Sequence, residues 1–288
     1  MRGAVFTDMD RTPEITEYGP AKDRRTPKDT AAALAANAKS VLSSGDTRLS
    51  LAICGMIVIA AFFAVYAMFC AVDSLVLFIA DVQRTGIAAD IAVEAAAVLL
   101  SVTGVIPLLY GRTALVSALA DGKADRADIR ALFLPFSSAR MFGRAYRDSA
   151  VLSVELFSGF FAADCLIGSM SYEGGEAAAM LIAAGASAAV FVPLFITALF
   201  RSRYVRFLLV SDASLRRRAA AAAVKSASKD PAFRLRRREI LKKQAGMTAL
   251  SVAALFIPYL IHVKPLILIE TALESADISR LSKENPAK

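Results

Sequence analysis

From Leu49 to Val72 the chain carries no charged side chain. A helix needs about 20 mostly apolar residues to cross a hydrocarbon core of ~30 Å, and a charge near the middle of such a span is costly. Few folds other than a membrane-spanning helix use so long an uncharged block. Similar blocks follow at about Ala88–Tyr110, Ala150–Met170 and Ala177–Phe200, and a last one begins near Thr248 and runs at least to Val263. It reaches Ile269 if Lys264 snorkels to the interface. The expected fold is all-α: a polytopic transmembrane helical bundle of about five spans.

The Lys and Arg residues lie between these blocks. The segment before the first span has eight, and the successive connections have one, seven, none and fourteen. This alternation follows the positive-inside rule and places the N-terminus in the cytoplasm. With five spans it places the C-terminus outside. The net charge of +8 is then a topological property, and no nucleic-acid partner is expected. Cys54, Cys70 and Cys165 fall in or beside apolar blocks without CxxC spacing, which indicates neither a disulfide framework nor a zinc site. The first residues contain no apolar segment of the kind found in a cleaved signal peptide.

Residues 1–28 read as a disordered cytoplasmic tail. Thr26-Pro27-Lys28-Asp29 has the form of a helix start, with Thr as cap and Pro in the first turn. A cytoplasmic helix is expected over 29–47. The bundle occupies 48–269, with basic cytoplasmic segments at 111–149 and 201–247, and 270–288 reads as a polar tail. Pro265–Leu281 also admits an amphipathic surface helix or a re-entrant piece. An internal repeat is suggested by Glu94-Ala-Ala-Ala leading to Pro107-Leu108, and by Glu176-Ala-Ala-Ala leading to Pro193-Leu194. Small residues at Ala92, Ala96 and Gly104, and at Ala184, Gly185, Ala188 and Ala189, suit close helix approach within the bundle or between copies.

No phosphate loop, dinucleotide fingerprint or HExxH helix is present, and no cofactor or metal is expected. His262 is the one histidine, expected as an interfacial residue at a helix end. Ionisable residues inside spans are functional candidates, which singles out Glu94, Glu155 and Asp164. At ~1.5 Å per residue each lies roughly 8–9 Å inside its span end, within reach of the interface. Glu155 and Asp164 are half a turn out of phase and point to opposite sides of their helix. Glu155 shares a small-residue face with Ser158, Gly159 and Ala162; its alternative role is an inter-helix hydrogen bond. Asp73, Asp81, Asp90, Glu94, Glu173 and Glu176 collect on the outer side. On the inner side Arg216, Arg217, Arg218, Arg236, Arg237, Arg238, Lys242 and Lys243 are candidate contacts for anionic lipid, each worth about 1 kcal/mol near a charged leaflet. The alternative is a topological determinant on solvated helix faces.

Tyr110-Gly111-Arg112, Gly122, Asp128-Ile129-Arg130-Ala131-Leu132-Phe133 and Phe136 follow the second span. Arg203-Tyr204, Phe207-Leu208-Leu209, Asp212, Ala222 and Ser226 follow the fourth, and Pro258-Tyr259 lies in the fifth. Together these resemble an uncharacterised family of bacterial polytopic integral membrane proteins, a domain of unknown function with Pro-Tyr in its last span. The chain departs from that pattern at Pro193-Leu194, where the family has Pro-Gly, and in an arginine-rich run that replaces a glycine-bearing basic segment. The resemblance implies a bacterial cytoplasmic membrane and the helical architecture, and carries no catalytic residue across. The expected role is a non-enzymatic scaffold, assembly or envelope-maintenance protein. The expected partners are anionic inner-leaflet lipids and a second copy or another membrane protein. The alternative is a transporter, channel or accessory permease subunit.

Overall fold

The structure, a computed structural model, describes residues 27–80, 86–124, 126–212, 214–250, 261 and 263–284. The described residues form helices and no strand. A short helix α1 (Pro27–Val41) precedes two long hairpins, α2 (Gly45–Ala80) with α3 (Ile87–Ala120) and α4 (Ala139–Gly168) with α5 (Gly174–Thr197). A π-turn (Ala198–Ser202) leads from α5 into α6 (Arg203–Ser211), followed by α7 (Arg217–Ala227), α8 (Pro231–Leu250) and α9 (Lys264–Glu284). Helix α1 is described from Pro27 onward, and Thr26, the expected cap, lies outside the described residues.

Four helices among the described residues are long and apolar enough to cross a membrane: α2, α3, α5 and the continuous segment Ala139–Ser171 that contains α4. At ~1.5 Å per residue the 36 residues of α2 extend about 54 Å, beyond the ~30 Å core. Large apolar side chains face outward, Phe78 at 83% exposure and Met170 at 86%. Apolar groups at that exposure fit contact with lipid chains.

Side-chain fit sets the bundle's order. Leu51, Cys54, Val58 and Phe62 of α2 pack with Val98, Val102 and Ile106 of α3, and Phe62 stacks on Phe160 of α4 at 4.3 Å. Pro107 stands inside α3 and has no N–H to donate to the carbonyl four residues earlier. That carbonyl, on Thr103, instead accepts the hydroxyl of Tyr146 from α4 at 2.7 Å. Helices α4 and α5 meet on the small-residue face expected around Glu155. A Cβ on Gly159 would lie 2.8 Å from the Phe191 ring, and Ser187 Oγ donates to the Ser158 carbonyl at 2.9 Å. Between α3 and α4, a 3-10 segment (Ile129–Ser137) buries Leu132 against α3. Ser138 caps α4 by accepting the Met141 N–H at 3.2 Å.

On the basic side, α1, the C-terminal part of α3 and α6–α9 form a second packed layer. Tyr204, Leu208 and Leu209 of α6 pack with Ala220 and Val224 of α7, Phe233 of α8 and Ile278 of α9. Ile269 and Ala272 of α9 share a core with Ala38 and Leu42 of α1. Two expectations are corrected here. Residues 270–284 are not a polar tail but part of a helix that buries Glu270, Thr271, Glu274 and Ser275. That helix packs on α1, α3, α6 and α8, at the basic ends of the spans and on the same side as α1, where the sequence reading put it on the opposite side. The physical reason is ionic. Arg236 Nε of α8 donates to Glu274 at 3.0 Å, and Lys243 of α8 pairs with Glu270. Most of the expected fifth span, with His262 and Pro258-Tyr259, lies outside the described residues, as does the tail before Pro27.

Candidate functional site

Glu155 and Asp164 do point to opposite sides of α4, and each joins a different polar cluster. Asp164 meets Glu94 across the bundle through Tyr66 of α2. The phenol oxygen is 2.9 Å from Glu94 Oε2 and 2.9 Å from Asp164 Oδ1. It has one hydrogen, so it donates to one carboxylate at a time. Asp164 Oδ2 is buried without a hydrogen-bond partner. Closer to the acidic side, Tyr172 donates to Asp90 at 3.0 Å. The sequence reading singles out carboxylates inside the spans, and Tyr66, a phenol in a span that carries no charge, falls outside that criterion. A lone Tyr deep in such a span was the available signal, because a buried hydroxyl requires a partner.

Glu155 opens onto a cavity of about 290 Å³ at the basic end, lined from α3, α4, the α5–α6 turn, α6, α7, α8 and α9. Its polar lining is dominated by cations: Arg112, Arg203, Arg206, Arg217 and Lys264, against Glu155 and Asp148. The fold positions each of them locally. Arg112 follows Gly111 on α3 and reaches toward α2, where a Cβ on Gly55 would lie 3.1 Å from its guanidinium. Arg203 and Arg206 are three residues apart on α6 and therefore share a face. Arg203 donates to Gln244 Oε1 at 2.9 Å. Arg206 Nε is buried without a hydrogen-bond partner. Asp148 is taken up by Arg144 and Arg147, at 3.1 and 3.0 Å.

The sequence places Lys264 at the far end of a fifth span, snorkelling to the interface if that span runs on to Ile269. It lies instead on the cavity wall at the basic side. Burial, together with the charges of Arg203, Arg112 and Arg206, lowers its ammonium from 10.5 to about 7. Burial and Arg203 lower Arg206 to about 10, with Glu155 opposing the shift. For Lys264 the sign is direct. Between pH 7 and 10.5 the unfolded chain binds a proton that the folded chain does not, so folding stability rises with pH across that window and is flat below it. The difference in melting temperature between the parent and Lys264→Met, followed across that window in detergent, is expected to shrink as pH rises. A constant difference would place Lys264 in water.

The eight candidate lipid contacts divide. Arg236, 8% exposed, is turned inward to α9, and Lys243 pairs with Glu270 of α9 while staying partly exposed. Arg237 sits 5.9 Å over the Phe233 ring. Lys242 pairs with Glu239 at 3.0 Å but remains exposed, as do Arg216, Arg217, Arg218 and Arg238. The sequence does not display the cavity cations as a group: Arg112, Arg203 and Arg206 read as markers of topology there, and Lys264 as a residue at the far end of a span. The three cysteines are free thiols.

Comparison with family profiles, with curated proteins and with solved structures gives no match to this chain.

Proposed function

We propose that this chain is a non-enzymatic integral protein of a bacterial cytoplasmic membrane, a scaffold or assembly component whose basic layer faces the anionic inner leaflet. The observation that carries this reading is the division of the basic residues. The inward ones fasten α9 to α8, while Arg216, Arg217, Arg218, Arg238 and Lys242 remain exposed on the layer at the span ends. Juxtamembrane cations of this kind are drawn to anionic headgroups. The test is hydrogen exchange of α7 amides in nanodiscs. Adding phosphatidylglycerol to phosphatidylcholine is expected to slow exchange in the parent but not in a variant with Arg216, Arg218, Arg238 and Lys242 changed to Gln. Equal exchange in both lipids would sink the reading.

A second reading, a transporter or accessory permease subunit, is favoured by the Tyr66 bridge between Glu94 and Asp164, since intramembrane carboxyl groups mark ion and proton paths. The two readings differ at the α4–α5 seam. Ser158 is 3% exposed and the Phe191 ring covers Gly159. With Cys54, Cys70 and Cys165 replaced, Ser158→Cys in closed vesicles is expected to resist a membrane-impermeant thiol reagent. Rapid labelling would mean a water path and would favour transport.

A further inference from the structure

We propose that the cavity at the basic end of the bundle binds a phosphate group, carried by an anionic phospholipid headgroup or by a soluble phosphate ester. This deepens the inner-leaflet reading above and rests on it for the lipid source.

The first argument is charge. Five cationic side chains line the cavity and two carboxylates face them. Both oxygens of Asp148 are already engaged by Arg144 and Arg147. Among the described lining residues, Glu155 is then the carboxylate left to face Arg206 and Lys264. Cations held away from water are retained at a cost unless an anion compensates them. The second argument is an unmet donor. Arg206 Nε is buried, points no hydrogen bond at the protein, and belongs to a guanidinium, whose planar fork fits phosphate oxygens. Burial first, and then the neighbouring arginine charges, lower the Lys264 ammonium to about 7, a direction that a bound anion would oppose.

The third argument is shape. A cavity of about 290 Å³ is at the small end of ligand sites, which run from ~300 to ~1,000 Å³. It suits a headgroup rather than a large metabolite. Its lining also includes the apolar Leu109, Leu152, Leu156 and Phe195 of the spans. A phosphate whose ester carries glycerol and acyl chains would meet both kinds of lining, and a free phosphate would use the cations alone. The cations come from α3, α6, α7 and α9, so a phosphate held among them would tie the C-terminal helix to the spans. Ligand binding to the folded state alone would then raise its stability.

The experiment uses the full chain, purified in neutral detergent and stripped of lipid, with melting temperature and native mass spectrometry as readouts. Phosphatidylglycerol is expected to raise the melting temperature and to leave one retained lipid per chain, and phosphatidylcholine is expected to do neither. Each charge-assisted hydrogen bond contributes enough that Arg206→Gln with Lys264→Met should weaken binding roughly ten- to a hundredfold. Lys264→Met alone should also bind more weakly while melting higher than the parent without lipid, since it removes a crowded cation. A folding defect would lower both, so the opposed signs separate a lost site from a damaged protein. Lys264→Arg is expected to retain the lipid.

Saturation by inorganic phosphate at the same final melting temperature, with no added retention of phosphatidylglycerol, would assign the site to soluble phosphate esters. Equal effects of phosphatidylcholine and phosphatidylglycerol would overturn the proposal, as would no effect of any phosphate-bearing probe. The variant with Arg216, Arg218, Arg238 and Lys242 changed to Gln separates this site from the exposed surface. It is expected to keep the lipid-dependent shift. If it loses the shift while Arg206→Gln with Lys264→Met keeps it, the surface reading stands and the cavity inference fails.

Discussion

Arg236→Ala is expected to destabilise the chain by about 3–5 kcal/mol, because it removes the cation from a buried ion pair and leaves the carboxylate behind. Glu274 is fully buried. Its Oε1 accepts from Arg236 Nε at 3.0 Å and its Oε2 from the Tyr204 hydroxyl at 2.8 Å. Burial already raises the Glu274 carboxyl above its usual value, against the lowering effect of Tyr204 and Arg236. Without Arg236 that opposition weakens. Helix α9 should then undock from α6 and α8, seen as a lower melting temperature and as new protease cleavage within 264–284.

The pH dependence of that deficit has a definite sign. A carboxyl raised on folding contributes stability that is present below its unfolded value and lost as pH rises through its folded value. The deficit of Arg236→Ala should therefore be smaller near about pH 5 than near about pH 8. Replacing Arg236, Glu274 and Tyr204 together by Met, Met and Phe should return stability to within about 1 kcal/mol of the parent or above it, since well-packed apolar groups often match a buried pair. A single Arg236→Ala with unchanged melting and proteolysis would show that the pair does not hold α9.

The spans were legible because the bilayer imposes a length and a charge rule that a linear sequence displays directly. The helices run further than the hydropathy blocks, α3 to Ala120 and α4 from Ala139, because amphipathic turns outside the bilayer have no apolar run to reveal them. Residues 264–284 were misread for a different reason. Glu270 and Glu274 are unremarkable polar residues until Lys243 and Arg236, tens of residues earlier, are brought against them. Arg112 and Arg206 are read from the sequence as basic-side charges, whereas Lys264 is placed at the opposite end of a fifth span. Neither reading says that the three share a cavity, which depends on how α3, α6 and α9 pack. The α4 argument succeeded for Glu155 and Asp164 because helical phase is fixed by spacing alone, while Tyr66, which joins Asp164 to Glu94, comes from another helix.

Gly111→Ala has the other large expected effect, and its sign runs against helix propensity. In a helix interior Ala is normally better than Gly by about 0.5–1 kcal/mol. At Gly111, however, an added Cβ would lie 2.3 Å from the Leu132 carbonyl oxygen, 2.8 Å from its carbon and 3.0 Å from the Ala131 oxygen. These are backbone atoms of the 3-10 segment, and Leu132 is fully buried, so no side-chain rotation relieves the contact. Overpacking of this kind costs about 1–3 kcal/mol, and here the 3-10 segment must move away from α3. Gly143 is the matched control. It lies inside α4, exposed, with nothing within 4 Å of an added Cβ, so Gly143→Ala should stabilise by up to about 1 kcal/mol. Opposite signs in the two melting curves are the expected result. If Gly111→Ala instead melts higher, as Gly143→Ala should, the close approach of the 3-10 segment to α3 is wrong. The placement of Arg112 on the cavity wall, one residue beyond that contact, would then need to be redrawn.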